Sequence, residues 1–199
     1  MSEPLILASG SSIRAQLLAN AGIEFEIEKA RVDEDSAKRS LQADGAIPRD
    51  IADALAELKA SRVSAKFPER WVLGCDQVLK FEGRLLSKPT TPEEAKAQLS
   101  DLSGRRHQLL SAAVIFENNR PIWRHVGTAQ LQVRELSRTY IASYVSEYWD
   151  EIRNTVGCYR IEEEGVRLFS RIEGDYFSIL GLPLLELQAF LALRGKVAT

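Results

Sequence analysis

The chain has 199 residues, 45% of them hydrophobic and 27% charged, with a formal net charge of −2. That is enough chain for a sizeable core in a single domain. The near-neutral balance gives no overall electrostatic case for a nucleic-acid or membrane partner. The start MSEPLIL lacks the basic region and long apolar core of a signal peptide. No apolar run reaches the length that spans a bilayer. A cytoplasmic location is therefore expected, with Cys75 and Cys158 as reduced thiols.

In chain order, Leu5 to Ala8 reads as a buried strand. Ile13, Leu17, Leu18 and Ala21 fall at helical spacing, and Gly22 closes that helix. Glu24 to Glu28 alternates, which predicts a strand with one wet face. The polar stretch from Arg31 to Ile47 reads as a loop, partly helical. Pro48 opens a helix with Ile51, Ala52, Leu55, Leu58 and Ala65 inward, ending near Phe67-Pro68. Trp71 to Gly74 is another buried strand. Val78 to Phe81 and Arg84 to Ser87 flank Glu82-Gly83 and predict a hairpin. Thr91-Pro92-Glu93-Glu94 is a helix start with a capping threonine, a proline at the first helical position and a glutamate placed for a capping box. That helix runs to Leu102.

Two long strands follow, His107 to Glu117 and Trp123 to Arg134, joined by Asn118-Asn119. Ser137 to Trp149 reads as an amphipathic helix, Val166 to Ile172 as a short strand, and Leu184 to Leu193 as the last helix. There is no internal repeat. Interspersed strands and helices with two hairpins define a mixed-sheet α/β protein.

Several stretches carry residues suited to chemistry. Ser9-Gly10-Ser11-Ser12 lies where a strand turns into a helix, with Arg14 just beyond. Free N–H groups and the dipole at a helix start favour an anion. Serine hydroxyls and an arginine add donors and charge; equally, a serine could simply cap the helix. No Walker-type loop and no G-x-G-x-x-G before a helix is present. Asp76 follows the apolar run Trp71–Gly74, so it is expected at the C-terminal end of a strand, where open α/β sheets place ligands. Asp33-Glu34-Asp35 suits a hard divalent cation or a solvated acidic loop. Lys59 and Lys88, taken singly, read as surface lysines. His107 and His125 have neither metal-ligand spacing nor a triad arrangement and read as structural. Tyr140, Tyr144 and Tyr148 share a helix face next to Trp149, which reads as packing.

Together these stretches resemble the Maf family of nucleoside triphosphate pyrophosphatases over nearly the whole chain and in the same order. LASGSSIRAQLL is similar to the family's L-A-S-x-S-P-R-R-x-x-L-L, with Ser12 in place of the proline and Ile13 in place of the first arginine. Val32-Asp33-Glu34, Leu58-Lys59-Ala60, Gly74-Cys75-Asp76-Gln77, Lys88-Pro89, Leu102 to His107 and the segment ending Gly181-Leu182-Pro183 match in turn.

The resemblance implies a mixed α/β fold like that of the inosine triphosphate pyrophosphatases, two-lobed with a central cleft. It implies cleavage of a nucleoside triphosphate between the α- and β-phosphates, with release of pyrophosphate. Asp76 would be the general base, with Lys59 and Lys88 beside it. Ser9, Ser11, Ile13, Arg14, Gln77 and Glu162 would contact substrate, and Glu34 and Asp76 would hold a divalent cation, magnesium or manganese. Gln77 follows the G-S-D-Q variant that goes with 7-methyl-GTP, and Glu162 suits the N1–H and amine of a guanine. Ile13 stands where that variant prefers a tryptophan and offers no cation–π face, so a broader nucleotide range stands beside it. A homodimer is also implied. From other classes, a nucleotide-binding regulator of cell division with negligible turnover, or an interaction module using the tyrosine face, is the competing expectation.

Overall fold

Leu5–Leu7 is apolar on both faces and becomes an interior strand, β1, paired in parallel with β2 (Phe25–Ile27) and with β3 (Val72–Phe81). A strand buried on both sides reads as an unbroken hydrophobic run for that reason. The computed structural model describes residues 3–198. Between β1 and β3 lie α1 (Ser12–Asn20), α2 (Glu34–Ala43) and α3 (Pro48–Ser64). After β3 come β4 (Arg84–Leu86), α4 (Pro92–Leu102), β5 (Arg106–Glu117), β6 (Arg120–Val133) and α5 (Arg138–Ile152). A 3-10 turn (Glu164–Leu168), β7 (Phe169–Glu173), α6 (Tyr176–Ile179) and α7 (Leu184–Leu193) complete the chain.

The strands hydrogen-bond in the order β2-β1-β3-β5-β6-β7, with β4 paired to β3. Parallel pairs at β1 and antiparallel pairs at β3–β4 and β6–β7 make this the mixed sheet expected. No helix among the described residues is long and apolar enough to cross a membrane.

The chain divides into two compact units. The first comprises Met1–Gln77, Leu110–Thr128 and Asp175–Thr199. Ile6, Leu7, Leu18, Ile51 and Leu73 are fully buried in it. The second comprises Val78–Leu109 and Ala129–Gly174, with Leu79, Phe81, Leu99, Leu102 and Leu131 fully buried.

The turns follow from local chemistry. Glu82 and Gly83 have φ of 47° and 82°, and Asn118 and Asn119 have 52° and 58°. Paired positive φ is the hairpin geometry whose twist matches the flanking strands. Thr91 caps α4, accepting from the Glu94 amide, but the Glu94 carboxylate accepts from the Thr90 amide and hydroxyl, one residue earlier than a capping box requires.

Some expectations need correction. Asp76 does not end a strand: β3 runs on to Phe81, and Asp76 lies inside it. The stretch after Arg31 is mostly helix, because Asp33 caps α2 by accepting from the Ser36 amide. Leu58 and Ala65 face outward, and Ile27 is exposed on β2, so its alternation does not mark a dry face. Residues 164–168 form a 3-10 turn before β7 begins. Of the three tyrosines on α5, Tyr144 is buried in the second unit, stacked on Tyr140 and tilted against Tyr148, while Tyr140 and Tyr148 are half-buried.

Candidate active site

The first unit gathers most of the expected site residues into one hydrogen-bonded network around β3. Ser11 caps α1, its Oγ accepting from the Arg14 amide at 3.4 Å. Ser9 Oγ accepts from the Ser11 amide at 3.3 Å and from Arg14 Nη1 at 3.2 Å. In each serine the oxygen serves the protein as an acceptor, which leaves the hydroxyl proton to donate elsewhere. Capping and ligand donation are therefore compatible here rather than exclusive.

Arg14 is buried, although it is a charged residue in the first turn of α1. Its Nε donates to the Gly181 carbonyl at 2.8 Å and its Nη1 to the Cys75 carbonyl at 3.2 Å. No carboxylate neutralises it among the described residues; its partners are carbonyl dipoles and a serine. Gly181 has a φ of 96°, a conformation that favours glycine, and a Cβ there would meet Arg14 Nη2 at 3.2 Å.

Lys59 is also buried. The signal was present in the sequence: Ala52, Leu55, Ala56, Lys59, Ala60 and Val63 keep helical spacing, and all six are buried. Lys59 Nζ donates to Asp76 Oδ1 at 2.7 Å and lies 3.0 Å from Glu34 Oε2 and 3.5 Å from the Cys75 carbonyl. The Cys75 carbonyl is thus shared by both cations. Burial pushes the Cys75 thiol up to about 11, and the nearby Arg14 and Lys59 charges oppose that rise.

What lets α3 bring Lys59 so near β3 is Gly74. A Cβ at Gly74 would stand 2.2 Å from the Ala56 carbonyl oxygen and 2.6 Å from the Ala60 nitrogen. Only a residue without a side chain admits the helix backbone at that distance.

Gln77 is held through its amide nitrogen. Its amide Nε2 donates to Ser111 Oγ at 2.8 Å, to the Ile179 carbonyl at 3.0 Å and to the Ser178 carbonyl at 3.2 Å. Ser111 Oγ itself donates to the Ser178 carbonyl at 2.6 Å. Gln77 and Ser111 hold α6 to the sheet, while Asp175 caps α6 from its other end. Ser111 and Ser178 bear no charge that would single them out in the sequence; Gly74 and Gly181 fall within the matched stretches and act here through the side chain they lack.

Ile13 is half-buried on the first turn of α1. Lys88 and Glu162 belong to the second unit. Lys88 is exposed between β4 and α4. Glu162 Oε1 accepts from Arg160 Nε at 3.0 Å, and Arg160 also pairs with Glu163. They follow Gly157 and Cys158, whose φ values are 83° and 61°. His107 is structural as expected: buried, with Nε2 at 2.7 Å from the Tyr159 hydroxyl. Both cysteines are free and buried.

As to a metal, Glu34 and Asp76 point one oxygen each at the same ammonium. Two convergent carboxylates fit a magnesium-type ion, which takes one or two carboxylates and completes its shell with substrate phosphates and water. Among the described residues no group of three or more His, Cys, Asp or Glu side chains could hold a metal ion. An ion here would be held jointly with substrate.

Two buried cations, two serine hydroxyls and two carboxylates around one strand of a mixed sheet define an α/β protein with a charged, polar centre. The chain matches the family model described as Maf-like protein over residues 4–193. It is 62% identical to a nucleoside triphosphate pyrophosphatase of Ruegeria pomeroyi, with all of both chains covered. It is 50% identical to a protein of the same name from Caulobacter vibrioides, over 98% of this chain and 97% of the relative. It is 45% identical to the 7-methyl-GTP pyrophosphatase of Rhizobium meliloti, over 99% of each. The chain belongs to the Maf-like protein family.

Proposed function

We propose that this chain hydrolyses a nucleoside triphosphate between the α- and β-phosphates, releasing the monophosphate and pyrophosphate. The observation that carries this is Lys59 held between Asp76 and Glu34 beside the buried, carboxylate-free Arg14. The relatives' enzyme names agree with it, and none supports a regulator without turnover.

Arg14, Lys59 and the hydroxyls of Ser9 and Ser11 bind phosphate oxygens, and Lys88 is assigned the same role. Asp76 Oδ1 is engaged by Lys59, so Oδ2 is the oxygen left to accept a proton from the attacking water. The water oxygen bonds to the α-phosphorus as the bond to the bridging oxygen breaks, and pyrophosphate leaves with that electron pair. Fixed positive charge around the phosphates does most of the work in such a transfer. A divalent cation, magnesium or manganese, held by Glu34 and Asp76, would neutralise phosphate charge and acidify the water.

For the base, 7-methyl-GTP is the favoured substrate, by the Gln77 variant and by the name of the Rhizobium meliloti relative. Gln77 acts on it through the placement of α6, since its amide hydrogens are taken. Glu162 would read the guanine edge with the oxygen that Arg160 leaves. A broader nucleotide range is favoured instead by Ile13, which gives no aromatic face. A homodimer and a cytoplasmic location belong to the same proposal.

The test is a product assay with magnesium or manganese and 7-methyl-GTP, GTP, UTP, dTTP, CTP and ATP in parallel. Pyrophosphate, without orthophosphate, is expected. Orthophosphate as the first product, or bound nucleotide with no turnover under either metal, would overturn the reaction.

A further inference from the structure

A second basic site lies one helical turn from Lys59. Residues 28–31, which follow β2, and Arg62, Val63 and Lys66 on and just beyond the last turn of α3 line a cavity of about 370 Å³. Its polar lining is Glu28, Lys29, Arg31, Arg62 and Lys66. Four cations face one carboxylate, a formal charge of +3 on a chain whose net charge is −2. The carboxylate is already spent, for Glu28 Oε1 accepts from Lys66 Nζ at 2.6 Å. That hydrogen bond and charge, with a smaller contribution from Arg31, hold the Glu28 carboxyl below its ordinary value. Lys29, Arg31 and Arg62 form no ion pair among the described residues. Val63 is buried beneath them.

The cavity adjoins the serine loop of the candidate active site. A Cβ on Gly10 would meet Lys29 Cε at 3.1 Å, so the Lys29 stem lies across the backbone between Ser9 and Ser11. On α3, Lys59 and Val63 are one turn apart, about 5 Å along the axis. Arg31 and Arg62 come from different segments, and each guanidinium fork matches the oxygens of one phosphate group. A diphosphate gives one phosphate to each arginine. Cations that no close ion pair neutralises are then satisfied by the ligand.

We propose that this cavity is a second anion site, separate from the Lys59–Asp76 centre, and that it takes inorganic pyrophosphate. The choice of ligand rests on the reaction proposed above, because pyrophosphate is the anion that reaction sets free beside it. A product leaving Lys59 meets the cavity at the next turn of α3.

The experiment is titration calorimetry of the intact protein with sodium pyrophosphate, without added divalent cation. Two binding events per chain are expected. In Arg31→Glu/Arg62→Glu the formal charge of the cavity becomes −1, and one event is expected to weaken by about tenfold or more. Arg62→Gln alone should weaken the same event less, and it guards against a double variant that fails to fold. Both variants should keep the wild-type KM for the triphosphate. A single event in wild type, unchanged in the variants, would overturn the proposal. So would a KM that rises in step with the weakened event, which would make the cavity part of the substrate site. Two events without turnover of any nucleotide would leave this site standing and remove the reaction, and turnover with one event would do the reverse.

Discussion

Arg14 Nε donates to the carbonyl of Gly181, 167 residues further along the chain, at 2.8 Å. The same guanidinium reaches Ser9 and the Cys75 carbonyl. One side chain therefore ties the first helix, the strand that carries Asp76 and the turn after α6. Arg14→Ala removes three charge-assisted hydrogen bonds and strands buried carbonyls, so a loss of about 2–4 kcal/mol in stability is expected. Arg14→Lys should recover little, since a single ammonium cannot span three acceptors in different directions. Urea unfolding of the three proteins side by side measures both.

Asp76→Asn keeps the shape of the side chain and a partner for Lys59, but removes the proton acceptor. Pyrophosphate release should fall about 10²–10⁴-fold, with nucleotide binding retained. Rapid-quench product analysis together with equilibrium binding separates the two effects.

Burial lowers the His107 imidazole from 6.5 to about 4. The unfolded chain therefore binds the extra proton first on acidification. The stability that neutral His107 gives is complete above the unfolded value and is lost as pH falls from about 6.5 toward 4. The difference amounts to about 3 kcal/mol. His107→Phe should show a shallower decline in stability across that window, whatever its stability at neutral pH. Denaturant midpoints at half-unit pH steps decide it.

Cys75 is raised to about 11 and Cys158 to about 12, in both cases mainly by burial. Neither should react with a thiol reagent at pH 8 in the native protein, and both should react once it is unfolded. A thiol count before and after denaturant checks this.

Charge and order of motifs made the centre legible, and depth did not. Taken singly, Lys59 reads as a surface lysine because its charge outweighs its place in the Ala52–Leu55–Lys59–Val63 stripe. Leu58, next to it, is apolar and reads as an inward residue, yet it lies on the wet side. Asp76 and Gln77 interrupt the apolar pattern of β3, so the pattern alone ends the strand at Gly74. The backbone ladder does not depend on side-chain polarity, and it continues to Phe81. Nothing in one sequence shows that residues 111, 178 and 179 meet the Gln77 amide.

The spacing between α3 and β3 rests on a methyl group that is not there. Gly74→Ala would press a carbon onto the backbone of Ala56 and Ala60, which no rotamer change relieves. A loss of about 1–3 kcal/mol is expected, with a longer Lys59–Asp76 separation and a drop in turnover that thermal melts alone would not explain. Anyone transplanting this lysine–aspartate pair onto another sheet would copy the two charged residues first. The graft would fail unless the glycine two places before the aspartate, and the alanines it faces, travelled with them.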